Sequence, residues 1–120
     1  MQQKQTGEIR RLSQKLHPEI YHWDPETDGA LTAVRLSDKL SAMGYECNRY
    51  TYLSGTCFPE HTHPVDKIDA VLDGRFLIRI YGIDIVLEAG DWVVVPRNTI
   101  HSAEVIGDQD VLSIDAVKLD

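Results

Sequence analysis

From Tyr45 onward the chain alternates short apolar runs with turn-forming residues. Tyr45 to Leu53 interleaves aromatic, β-branched and polar positions and ends at Ser54-Gly55, the pattern of a strand and its turn. Asp73-Gly74 between Ile68–Leu72 and Phe76–Ile80 predicts a hairpin, and Tyr81-Gly82 before Ile83–Leu87 gives a weaker turn signal. Ala89-Gly90 precedes the apolar run Trp92–Val95, and Gly107 to Asp110 precede Val111–Val117. Strands at such even spacing, separated by turns, predict an antiparallel sandwich or barrel.

The first third has a different texture. Residues 1 to 28 are polar and end in Asp24-Pro25-Glu26-Thr27-Asp28-Gly29, a loop signal. Within them Glu8 to Leu16 carry Ile9, Leu12 and Leu16 at helical spacing, which predicts two helical turns closed by His17-Pro18. Residues 30 to 43 read as a second helix, with Leu31, Val34, Leu40 and Met43 near one face and Gly44 as its terminator. The expected organisation is one structural domain: an extension over residues 1–44, whose helix packs on a barrel over residues 45–120.

Composition narrows the function. A chain of 120 residues with 42% hydrophobic and 26% charged positions is an ordinary globular domain, and its size needs no metal merely to fold. The net charge of −7 and the lack of a basic stripe disfavour nucleic acid. No run approaches a membrane span, and the polar N-terminus has no secretory pattern. Two cysteines make no disulfide framework, so a cytoplasmic protein with reduced thiols is expected. Cys57 is expected to be a buried, inert thiol, and Trp92 and Phe76 to belong to the core.

Candidate chemistry rests on histidine. In His61-Thr62-His63 a strand would send both imidazoles from one face, about 6–7 Å apart at Cα, close enough to converge on one ion. His101 follows the turn Pro96–Ile100 and offers a third ligand from a distant strand, which closes the site. His17 and His22, in the loop-like N-terminal region, carry no such pattern.

These residues also carry a resemblance. Gly55-Thr-Cys-Phe-Pro-Glu-His61-Thr-His63-Pro-Val-Asp-Lys67, followed by Val71-Leu72-Asp73-Gly74, resembles the first motif of the cupin superfamily. Gly90-Asp-Trp-Val-Val-Val-Pro96-Arg-Asn98-Thr-Ile-His101 resembles the second. The likeness spans residues 45 to about 117. It implies a mainly β double-stranded β-helix of jelly-roll type, with a short N-terminal helical extension. It also implies a pocket between two sheets, a small-molecule ligand and a homodimer. Asn98 replaces the usual Gly of the second motif, at a position that needs a positive φ and that Asn tolerates.

Lys67 is the departure that matters. It stands where the first motif places a metal-ligating Glu. A divalent ion and an ammonium about 5 Å apart repel by roughly 6–7 kcal/mol at an effective dielectric near 20. Several arrangements would relieve this. A slip at Pro64 would aim Asp66 inward and Lys67 outward, or Asp69 would pair with Lys67 or supply the missing carboxylate itself. The alternation of Ile68, Ala70 and Leu72 with Asp69, Val71 and Asp73 leaves the register open: the apolar set faces inward in an isolated barrel, or faces a partner sheet in a dimer with Lys67 and Asp69 inside, and the spacing of the resembled motif favours the second. Two functions follow. His61, His63 and His101 hold a divalent metal (Zn, Fe, Mn, Ni or Cu), whether or not the protein is an enzyme. Alternatively the pocket is metal-free, and Lys67, Asp69 and the histidines bind an anionic or polar small molecule.

Overall fold

The computed structural model describes residues 16–119, so the expected helical turns over residues 8–16 lie, but for Leu16, outside the described residues. Strand β1 is Glu19–His22, followed by the short helix α1 (Pro25–Asp28) and helix α2 (Ala33–Ala42). Strands β2 (Tyr45–Tyr52), β3 (Cys57–His61), β4 (Lys67–Asp73), β5 (Phe76–Ile80) and β6 (Ile83–Leu87) come next. Strands β7 (Asp91–Val95), β8 (His101–Val105) and β9 (Val111–Lys118) complete the chain. They form a five-stranded sheet in the order β1-β7-β4-β9-β2 and a four-stranded sheet in the order β3-β8-β5-β6. Every pairing is antiparallel. The expected jelly-roll architecture is what the chain builds.

The turn chemistry needs a correction. Asp73-Gly74 is not a hairpin: β4 pairs with β7 and β9, whereas β5 pairs with β6 and β8, so the dipeptide carries the chain from one sheet to the other. Gly74 is needed there for close approach as well as for its φ of +90°, because a Cβ would stand 2.5 Å from the Asp110 carbonyl oxygen. The true hairpin is at Tyr81-Gly82, where φ values of 56° and 71° give two consecutive left-handed residues and β5 runs straight into β6.

Side-chain alternation divides the apolar residues into two cores. Val71, Val93, Val95 and Val111 from the five-stranded sheet meet Phe76, Ile78, Ile80, Ala103 and Val105 from the other sheet. The outer face of the five-stranded sheet, through Ile68, Ala70, Trp92, Ile114 and Ala116, packs on Leu36 and Leu40 of α2. Ile68 and Ala70 are thus covered by the chain's own helix, not by a partner sheet as the sequence suggested.

Helix α2 is shorter than the expected 30–43, and its buried stripe differs. Thr32 caps it by accepting the Arg35 N–H at 3.1 Å, so the helix begins past Leu31. Leu36 and Leu40, one turn apart, are fully buried, whereas Val34 and Met43 are 59% and 44% exposed. Gly44 ends the helix with a φ of +94°, as expected. The region read as loop before it contributes β1, which pairs with β7, so the five-stranded sheet draws an edge strand from within residues 1–44. Among the described residues no helix is long and apolar enough to cross a membrane.

Candidate metal centre

One end of the space between the sheets is apolar and the other is not. Along β4 the inward positions are Lys67, Asp69 and Val71; along β9 they are Val111, Ser113 and Asp115. The valines fill the core, and the charged positions line a cavity of ≈ 120 Å³ together with His61, His63 and His101. Tyr52, Phe58 and Phe76 form its apolar wall, with ring centroids 5.0 to 6.1 Å apart. A wider depression of ≈ 680 Å³, lined partly by Leu16, Tyr81 and Ile100, has no such convergence of histidines.

The three histidines arrive by different routes. His61 ends β3 and opposes His101, the first residue of β8, as a cross-strand partner. His63 lies past the end of β3, so the two residues of His-x-His do not share one strand as expected. Instead the His63 carbonyl accepts the Asn98 N–H at 2.7 Å, which ties this loop to the turn before β8. Asn98 has a φ of 59°, the left-handed conformation expected of it. The rings still converge: centroids are 4.7 Å apart for His61 and His63, 4.2 Å for His61 and His101, and 5.2 Å for His63 and His101. One nitrogen from each lies within 4.8 Å of the others.

Two of the rings are held in a ligating tautomer. The Nδ1 atoms of His61 and His101 lie 2.6 and 2.9 Å from the carbonyl oxygens of Pro59 and Thr99. A carbonyl only accepts, so each Nδ1 carries the hydrogen and donates it, which leaves Nε2 as the nitrogen available to a metal. Outer-sphere bonds of this kind orient metal-binding imidazoles. Burial, reinforced by Lys67 and the neighbouring rings, holds His63 below the usual histidine range; burial also lowers His101. Both rings therefore favour the neutral form. Three donors around one ion at about 2.1 Å would stand roughly 3.0–3.4 Å apart, so the set fits a metal after closing by an ångström or so. An all-imidazole set suits Zn, Fe, Ni or Cu and not the oxygen-seeking Mg or Ca.

Lys67 does point into the cavity, and its charge is met there. Its Nζ lies 2.8 Å from Asp115 Oδ1, with both side chains 15% exposed. Asp115 also hydrogen-bonds to Asp69, its cross-strand partner. Burial and the Asp115 carboxylate push Asp69 up to about 6. Asp66 faces away and accepts the Arg97 N–H at 2.8 Å, so the one-residue slip does not occur. Asp115, Tyr52 and Phe58 escaped the sequence reading. A polar Ser113 and Asp115 on the valine parity of an otherwise apolar strand were the available signal for Asp115.

Cys57 is a further correction. A register irregularity between Phe58 and His61 shifts the parity of β3, turning Phe58 inward. Cys57 is exposed, its Sγ 3.6 Å from Glu104 Oε2, and not a buried thiol. Phe76 and Trp92 are core residues, each 3% exposed. His22 pairs with Asp91 at the surface.

The chain is similar to several solved structures. KdgF from a Halomonas species has a TM-score of 0.57 and 28% identity, over 62% of this chain and 69% of that one. A cupin protein from Bacteroides fragilis has a TM-score of 0.55 and 26% identity, over 69% and 72%. An RmlC-like cupin from Shewanella frigidimarina, at 24% identity and a TM-score of 0.56 over 62% and 66%, shows the fold alone. No curated protein matches the sequence. Residues 48–117, which hold both sheets' central strands and all three converging histidines, match the family model for the cupin domain, and the chain belongs to that family.

Proposed function

We propose that this protein is a metal-binding cupin in which His61, His63 and His101 hold one divalent cation and present it to a small molecule in the cavity. The observation that carries this reading is the convergence of three imidazole nitrogens within 4.8 Å, two of the rings being fixed by Nδ1–H bonds to backbone carbonyls. Three neutral ligands leave coordination positions open, as a site that acts on ligands requires. A cation bound there would supply Lewis acidity, or redox chemistry if the metal is redox active. The chain's own part is to orient the imidazoles, exclude bulk water with Tyr52, Phe58 and Phe76, and hold Lys67 against Asp115.

Elemental analysis of protein purified without added metal or an affinity tag tests the reading, beside a His61→Ala/His101→Ala double variant. Near-stoichiometric metal that disappears in the variant is the expected result. Native protein that takes up none of Zn, Fe, Mn, Ni or Cu when offered them overturns it. The pocket would then be a metal-free receptor for an anionic or polar molecule, the reading that Lys67 in the cavity wall favours.

A further inference from the structure

Among the residues that would hold the metal in this cavity, no ligating carboxylate is present to offset the ion's charge. Exchanging Glu for Lys at position 67 moves the local charge by two units toward positive. Lys67 and Asp115 cancel each other at 2.8 Å. A divalent cation on three neutral histidines then keeps its full charge, offset at most by one unit from Asp69. With metal bound, the pocket is net positive whether Asp69 is ionised or protonated. Uncompensated charge in a half-buried, partly apolar space is costly, and the ligand is the remaining source of a counter-charge.

The wall opposite the polar groups adds a second constraint. Tyr52, Phe58 and Phe76 make it apolar and aromatic, and the cavity is ≈ 120 Å³. A bare inorganic oxyanion would leave that wall unused, whereas a carbon body with one anionic end would cover it.

Resting on the proposed metal site, we infer that its ligand is a small organic carboxylate, whose anionic end lies toward the metal and Lys67 and whose carbon body lies against Tyr52, Phe58 and Phe76. Lys67 is the specificity-determining residue: its ammonium turns from Asp115 to share itself with the incoming carboxylate. Asp115 stays beside Asp69, its cross-strand partner, when it does.

The test uses full-length protein loaded with Co(II), whose visible absorption reports on the coordination sphere, and calorimetric titration with lactate, its neutral isostere lactamide, and inorganic phosphate. Cobalt content is measured separately on every sample. The expected result is lactate binding at least tenfold tighter than lactamide or phosphate, with a change in the cobalt spectrum. Lys67→Met should retain cobalt and lose most of the preference for lactate over lactamide, and Lys67→Arg should restore it. Equal affinity for lactate and lactamide, or phosphate preferred over lactate, overturns the inference. So does a lactate preference that survives Lys67→Met with cobalt retained. Failure of the native protein to take up cobalt, zinc or iron overturns the metal reading and this inference together, and the cobalt assay tells that failure from the others.

Discussion

Lys67 on β4 stands opposite Val117 on β9, yet its ammonium reaches diagonally to Asp115, two residues along, at 2.8 Å. Diagonal neighbours on a sheet are within reach of a long side chain, and both members face the cavity. The pair explains how a lysine occupies a position that would otherwise repel a bound cation. Asp115→Asn leaves that ammonium buried without its counter-charge, and should cost about 3 kcal/mol in urea unfolding. Metal affinity should fall with it. Lys67→Met/Asp115→Leu should recover most of the stability, because two apolar groups replace the pair. An Asp115→Asn variant as stable as the native protein would show that the pair contributes nothing.

Asp69 sets a pH dependence of known sign. Its carboxyl is raised from 3.8 to about 6 in the fold, chiefly by burial and by Asp115. A raised folded value means stability that is full below 3.8 and is lost as pH rises toward and through about 6. In Asp69→Asn an amide replaces the protonated carboxyl and still donates to Asp115, so the loss disappears. For metal-free protein, the Tm difference between Asp69→Asn and the native chain should widen across that window and level off above it. His63 and His101, lowered in the fold, work in the other direction below 6.5, and taking the difference removes their shared effect. A Tm difference that is flat with pH would mean that Asp69 is ionised like a surface aspartate.

Gly74 carries the crossover between sheets. An added methyl would meet the Asp110 carbonyl oxygen at 2.5 Å and Val111 Cα at 3.0 Å, at a φ of +90°. Gly74→Ala should destabilise by about 2 kcal/mol or more, through backbone strain and the clash together. Gly82→Ala shares the positive φ but meets nothing within 4 Å, so it should cost about 1 kcal/mol. Thermal melts of the two variants separate steric approach from conformational strain; equal losses would remove the steric contribution.

Leu40 is fully buried between α2 and the outer face of the five-stranded sheet, in a core separate from the cavity. Leu40→Ala should cost about 2–5 kcal/mol in denaturant unfolding. The folded variant should keep the native metal affinity, because neither the histidines nor their backbone partners touch that core. A variant that folds but binds metal tenfold more weakly would mean that the helix positions the site.

The sequence by itself determined the strands and the chemical inventory. Period-two alternation is local, and it marked nearly every strand from Tyr45 onward. The spacing of His61, His63 and His101 singled out residues that converge, and Asn98 announced a left-handed turn. Tertiary structure decided what depends on which strands become neighbours. It made Asp73-Gly74 a crossover and Tyr81-Gly82 the hairpin, because a turn dipeptide specifies a local bend and not the partner of the strand that follows. It buried Leu36 beside the expected Leu40, left Val34 and Met43 exposed, and covered Ile68 and Ala70 with that helix. It also gave Lys67 its partner. Asp115 lies 48 residues away along the chain and meets Lys67 only because β4 and β9 pair in this register, which no pattern within either strand encodes.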